Sequence, residues 1–253
     1  MSRLRVLSLG AGVQSTTLAL MAAAGEIEAP HDAIFADTGA EPAAVYRHLE
    51  WLMQPGLLPF PVHIVKWRDL ADDLLHPPNS GFLNDTMLLP AHQKPAGQLR
   101  RYCTTNYKTG PIVKKLNELR RGLHRHVDLL LGISTDEADR MKPAPEKWLT
   151  RRYPLIERGY SRTDCRSWLF KRGYPQPPKS SCVFCPYKSE GQWRDMSQDS
   201  ADWQLACDID DAIRANFGIE AYVHRSLQPL RTAPLGHEQG DLFSSECEGY
   251  CGV

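Results

Sequence analysis

Two short stretches carry residues whose types and spacing could do chemistry. PKSSCVFCPYKS, Pro178 to Ser189, holds Cys182 and Cys185 in a turn rich in Pro and Ser. Such a pair can be half of a zinc site, a dithiol switch, or part of an iron–sulfur site. Zinc needs four ligands, usually from two knuckles, and the other close pair is Cys247 and Cys251 in CEGYC. Those four thiols could staple the tail. A dithiol switch prefers the start of a helix after a strand, whereas Pro186 follows Cys185 directly.

The second stretch, LSLGAGVQSTTLAL, reads as a strand, a Gly-x-Gly turn and the start of a helix. Gly10 and Gly12 allow a tight turn, and Ser15, Thr16 and the first amides of the helix then point at one spot. A helix start of this kind is an anion site, because its first N–H groups have no intrahelical acceptor and the helix dipole favours negative charge. The spacing is neither G-x-G-x-x-G nor a Walker loop, and the Walker lysine is missing. A plain packing turn would also satisfy it. ADTGAEP ends the next strand-like run and sets Asp37, Thr38 and Glu41 beside the first turn, which favours a nucleotide site. GISTDEADR follows a later run and brings Ser134, Asp136, Glu137 and Arg140 to the same edge. There Ser134 or Thr135 could equally cap a helix whose first turn holds the acids.

The elements that must position these residues follow from periodicity. Arg5 to Ala11, Ala33 to Thr38, Val62 to Trp67 and Val127 to Ser134 are nearly continuous apolar runs, as strands buried on both faces of a parallel sheet should be. Between them Gln14 to Ala24, Ala43 to Gln54 and Thr109 to Arg121 have apolar residues at helical spacing. This alternation predicts an α/β fold, a Rossmann-like parallel sheet flanked by helices, with ligands beyond the carboxyl ends of the strands. Pro77 to Gly97 reads as a long loop, and Ser189 to Phe217 as one long polar helix. The expected organisation is a nucleotide-binding domain over 1–146, a helical and coil region with the CxxC over 147–235, and a loosely held cysteine-containing tail over 236–253.

Thirty basic residues balance thirty acidic ones, so no global field draws the chain to nucleic acid or membrane. Any such affinity must be local. The basic run Arg100, Arg101, Lys108, Lys114, Lys115, Arg120, Arg121, His124 and Arg125 could track a phosphate backbone or simply be a solvated face. The longest apolar stretch is too short to span a bilayer, and MSRLRVLSLG enters a strand without the layout of a signal peptide. A cytoplasmic protein is expected. In that compartment the seven cysteines suit metal or redox chemistry better than disulfides. Cys165 and Cys207 occupy apolar positions of helical patterns and read as core.

GAGVQST resembles the pyrophosphatase loop of the adenine nucleotide α-hydrolases, usually S-G-G-x-D-S, and DTG recurs in their phosphoadenosine phosphosulfate reductase branch. RYCTTNYKTGPI, LLGISTDEADR, YPLIERGYSRTDCRSWL and the CxxC continue the resemblance over roughly residues 5 to 190. It implies ATP or an adenylylated nucleotide held by Ser8, Gly10, Ala11, Gly12, Gln14, Ser15, Thr16, Asp37, Thr38 and Gly132, with Ser15, Asp37, Asp136 and Lys108 closest to the chemistry. The acid of the usual loop is absent, since Gly12, Val13 and Gln14 stand there, so Mg²⁺ falls to Asp37 or Asp136. Cys103 precedes the CxxC at the family's interval, with Tyr102 in place of a cysteine doublet. The resemblance therefore implies a [4Fe–4S] cluster on Cys103, Cys182 and Cys185, its fourth iron open or bound by Cys247 or Cys251, and converging with the loop on one pocket.

The function this implies is an ATP pyrophosphatase that adenylylates a nucleic-acid acceptor for sulfur insertion, as in DNA phosphorothioation or tRNA thiolation. A cysteine desulfurase would supply the sulfur, and related reductases often form homodimers. A sulfonucleotide reductase is the second expectation. It would use a tail cysteine, and Glu246 and Cys247 match that pattern in part, although Glu248 replaces a glycine and no histidine follows. A zinc-stapled, non-catalytic nucleic-acid-binding component is the third.

Overall fold

The computed structural model describes residues 3–78, 89–95, 97–121, 126–198 and 200–236. In chain order its first elements are β1 (Leu4–Ser8), α1 (Val13–Ala23), β2 (Asp32–Ala36), α2 (Ala43–Leu52), β3 (Val62–Val65), α3 (Leu70–Leu75) and β4 (His92–Gln93). A π-helical turn (Thr104–Thr109) then leads into α4 (Gly110–Leu119), followed by β5 (Val127–Leu131), a 3-10 turn (Thr135–Arg140) and β6 (Leu149–Arg152). The remaining elements are α5 (Pro154–Glu157), α6 (Arg162–Lys171), α7 (Glu190–Ser197), α8 (Ser200–Phe217) and β7 (Ala221–Tyr222).

The described residues divide into two compact units, one lying within 1–37, 43–65 and 109–180 and the other within 38–42, 66–108 and 181–236. These interleaved units differ from the successive blocks that composition suggests. One reason lies in β6, beyond residue 146, which pairs in parallel with β5 and so ties residues after the expected boundary to the first sheet.

The first unit is built on a five-stranded sheet ordered β3-β2-β1-β5-β6, in which every pairing is parallel. The fold class read from the sequence is therefore the observed one. β5 is buried at all five positions and β2 at its last four, as doubly covered parallel strands require. β6 is the exception. LTRR is half-exposed, as an edge strand can be, and it has none of the apolar continuity that marks the others. Nine of the eleven residues of α1 are buried, and its Leu18, Leu20 and Met21 pack with Leu7, Phe35 and Leu130 of the sheet and Trp168 and Leu169 of α6. α4 packs against β2 and β3. Cys165 belongs to the same core, fully buried, and burial pushes its thiol up to about 12.

The second unit has its own core of Leu70, Leu74, Tyr107, Val183, Phe184, Trp193, Ile209 and Ile213, with Cys207 among them. β4 and β7 form a two-residue antiparallel ladder there. The single helix expected from Ser189 to Phe217 is two. α7 starts on a reciprocal capping box of Ser189 and Gln192 and ends where the Ser197 hydroxyl donates to the Arg194 carbonyl. The polar run after Met196 competes for backbone bonds and interrupts the helix. No helix among the described residues is long and apolar enough to cross a membrane.

Candidate functional site

The sheet order changes direction of growth at β1, which has β2 on one side and β5 on the other. Crevices in open α/β sheets form at this switch point, beyond the strand ends. The segments that leave β1 and β5 there are the two the sequence singles out, 9–16 and 132–140.

After Ser8, Leu9 stays tied to the sheet by donating to Ile34 O (2.9 Å). The strained residue of the turn is then Ala11, with φ +53°, and not either glycine. Gly12 is extended and caps α1 with no side chain to accept the helix's first amides. Those N–H groups form the bare, electropositive helix start that an anion can occupy. The Ser15 hydroxyl folds back on the turn, accepting from Gly10 N (3.2 Å) and donating to Gly12 O (3.3 Å). It braces the loop. Thr16 faces the interior, where its hydroxyl bonds His48 Nε2 at 3.1 Å. Burial lowers the His48 pKa to about 4, so the ring is neutral at ordinary pH.

Close approach explains the remaining glycines. A Cβ on Gly132 would lie 2.7 Å from Ser15 N, 3.0 Å from Ser15 Cα and 3.1 Å from Gln14 C, so the end of β5 lies directly against the first turn of α1. On the other side Ser180 abuts the loop, and a Cβ on Gly12 would lie 3.1 Å from Ser180 Cβ. The contact of Ser180 with the loop, far away in sequence, is one that sequence reasoning missed.

The two acids of the β5 turn part company. Asp136 is exposed and accepts from Arg162 N at the start of α6 (3.0 Å), where the helix dipole favours a carboxylate. Glu137 is buried and meets the loop, accepting from Gln14 Nε2 (3.2 Å) and from Arg140 Nη1 (2.7 Å). Glu137 leaves the helical backbone within the turn (φ −123°, ψ 23°), and this kink separates its side chain from that of Asp136. Burial pushes the Glu137 carboxyl above its usual range, while Arg140 pulls it down. Asp37, at the end of β2, is half-buried and accepts from Tyr46 OH at 2.7 Å.

Within the second unit, Cys103, Cys182 and Cys185 line one cavity together with Thr38, Arg101, Thr104 and Lys108. The CxxC is a turn, Cys185 N donating to Cys182 O (3.1 Å), and Val183 N donates to Ala40 O (2.9 Å). The Thr38 hydroxyl lies 3.8 Å from Cys182 Sγ and donates to Glu41 Oε1 (3.3 Å). Lys108 Nζ pairs with that same oxygen at 2.9 Å. The wider turn of the π helix turns Lys108, five residues on, to the cavity that Cys103 lines. Tyr107 anchors the turn by donating to Asp73 (2.5 Å), which Arg68 also grips. Burial and that bond push the Tyr107 phenol far up.

Thr104 Oγ1 and Glu41 Oε2 are buried with no hydrogen-bond partner among the described residues. The three thiols, with the Thr104 hydroxyl lining the same cavity, are of the types that could hold an iron–sulfur cluster, whose irons bind thiolates and whose sulfurs accept hydrogen bonds. No three His, Cys, Asp or Glu side chains among the described residues are placed to hold a single metal ion. The other candidate ligands, Cys247 and Cys251, lie outside the described residues, as do Glu246, His124 and Arg125.

No protein-family model matches the chain, and no curated protein matches it. Among solved structures it is similar to the crystal structure of phosphoadenylyl-sulfate (PAPS) reductase from Candida auris in complex with phosphate, at 14% sequence identity and a TM-score of 0.48, with 70% of this chain and 76% of that chain covered.

Proposed function

We propose that the chain is an adenylylating ATP pyrophosphatase that activates an acceptor, a nucleic acid, for replacement of oxygen by sulfur. The observation that carries the reading is the uncapped start of α1 at the switch point of the sheet, braced by Ser15 and pressed against Gly132. In the activation step an acceptor oxygen attacks the α-phosphorus of ATP, and the bond to pyrophosphate breaks. The amides at the start of α1 hold the charge of the leaving pyrophosphate. A donor so placed is worth roughly 3–4 kcal/mol of transition-state stabilisation. Asp37, its carboxylate steadied by Tyr46, is the ligand for the phosphate-bound Mg²⁺. Hydrosulfide, released by a thiol reductant from the persulfide of a cysteine desulfurase, then attacks the carbon or phosphorus that bears the adenylylated oxygen; the bond from that atom to the oxygen breaks, and AMP departs with the oxygen.

Cys103, Cys182 and Cys185 are the ligands for a [4Fe–4S] cluster, with Thr104 and Lys108 beside them. A cluster bound by three thiolates supplies one iron free to carry an exogenous sulfur ligand. The test is product analysis with ATP labelled at the α-phosphate, using oxygen-free full-length protein, sulfide and DNA or tRNA. AMP, pyrophosphate and thiolated nucleic acid in equal amounts support the proposal. ADP and phosphate, or no turnover with either nucleic acid, would remove it.

The cations Arg101 and Lys108 lining the thiol cavity favour a second reading, reduction of an anionic sulfonucleotide. Mass spectrometry after addition of adenylylsulfate would then show a sulfite adduct on Cys247 or Cys251. An unmodified tail would exclude it.

A further inference from the structure

The loop lacks the acid that its pattern usually carries, and Gln14 stands in that place. Its amide is held by two acceptors from the turn after β5. Gln14 Nε2 lies 3.2 Å from Glu137 Oε2 and 3.3 Å from Ser134 Oγ. An ionised carboxylate only accepts, so the nitrogen of Gln14 must face Glu137 and the orientation of the amide is fixed. The same Glu137 oxygen is held by Arg140 Nη1 at 2.7 Å, and the two side chains of this pair are 7% and 9% exposed. A carboxylate is thus present next to position 14, but it is brought by the neighbouring strand and not by the loop.

We infer that Glu137 is a positioning residue that locks Gln14 through the Gln14–Glu137–Arg140 relay. The inference rests on the loop being a nucleotide site. Restoring the acid with Gln14→Asp sets two carboxylates side by side and damages the loop. Moving the charge instead, with Gln14→Asp and Glu137→Gln together, keeps one carboxylate and one amide in contact and repairs it.

The experiment is calorimetric binding of Mg·ATP to the full-length wild type, Gln14→Asp, Glu137→Gln and the double variant. Denaturant unfolding of each without nucleotide, and KM and kcat for pyrophosphate release, complete the set. Gln14→Asp should weaken binding at least about tenfold, and the double variant should recover to within about threefold of wild type, a coupling of the size that contacting residues show. The loss should appear in KM and the recovery in both binding and unfolding midpoint. If wild type binds Mg·ATP and the double variant is no better than Gln14→Asp, or Gln14→Asp binds as tightly as wild type, the relay has no positioning role. If wild type itself binds no nucleotide, the reading of the loop falls and this inference falls with it.

Discussion

Adding one methyl group at Gly132 tests the packing that shapes the loop. The new Cβ would meet backbone atoms of Ser15 and Gln14, the nearest at 2.7 Å, so the first turn of α1 must retreat by about 0.7 Å to reach ordinary contact at 3.4 Å. Backbone in the first turn of a buried helix cannot swing aside as a side chain can, and overpacking of this kind costs about 1–3 kcal/mol. The retreat moves the amides that, on the proposed function, would hold the phosphates. Because a displacement of about 1 Å can cost about a hundredfold in rate, Gly132→Ala should lower kcat/KM for pyrophosphate release by at least about tenfold. Two further glycines calibrate the effect. At Gly12 the tightest contact of the added Cβ is Ser180 Cβ at 3.1 Å, and at Gly10 it is Ser180 Oγ at 3.5 Å, an ordinary contact. The expected order of damage, in unfolding midpoint and in turnover, is therefore Gly132→Ala, then Gly12→Ala, then Gly10→Ala, the last within about 0.5 kcal/mol of wild type. A Gly132→Ala protein as stable and active as wild type, or a reversed order, would refute the packing argument.

His48 should titrate near 4 by NMR, because burial holds its pKa at about 4 against an ordinary 6.5. Its folded pKa lies below its unfolded one, so this contribution is full above 6.5 and is lost as pH falls towards 4. It amounts to about 3 kcal/mol. A His48 pKa near 6.5 would contradict the buried contact with Thr16. Lys108→Met should destabilise the protein by about 3–5 kcal/mol in urea unfolding, since it strands Glu41, whose side chain is 1% exposed, without its ion partner. Lys108→Met with Glu41→Gln should recover most of that loss, and a single variant as stable as wild type would show that the pair is not buried as described.

Much of the first unit is legible because its information is local. Val127 to Leu131 and Ala33 to Ala36 declare themselves as strands by uninterrupted apolar character, and GAGVQST declares a turn into a helix. β6 does not, since LTRR is polar after Leu149, at an edge where burial makes little demand on the other three positions. The break after Ser197 is hidden because the apolar spacing runs on through Trp203 and Leu205. In the site, the loop is announced by its own glycines and hydroxyls, and the grouping of Cys103 with Cys182 and Cys185 by the family resemblance. The partners that shape them do not, because they depend on the backbone. Nothing in GISTDEADR says that a 3-10 turn sends Asp136 to α6 and Glu137 to Gln14. Nothing in YCTTNYKTG announces the π turn by which Lys108 joins Cys103 at one cavity. Ser180 against Gly12 joins positions too distant in sequence for any local pattern to connect. Even the glycines mislead, since the left-handed residue of the loop is Ala11.

Metal and sulfide analysis of the full-length protein, purified without oxygen, bears most directly on the sulfur chemistry assigned to Cys103, Cys182 and Cys185. About four iron and four acid-labile sulfide per chain, lost together in Cys103→Ser, is the predicted result. About one zinc per chain with no iron, or iron unaffected by Cys103→Ser, would contradict it.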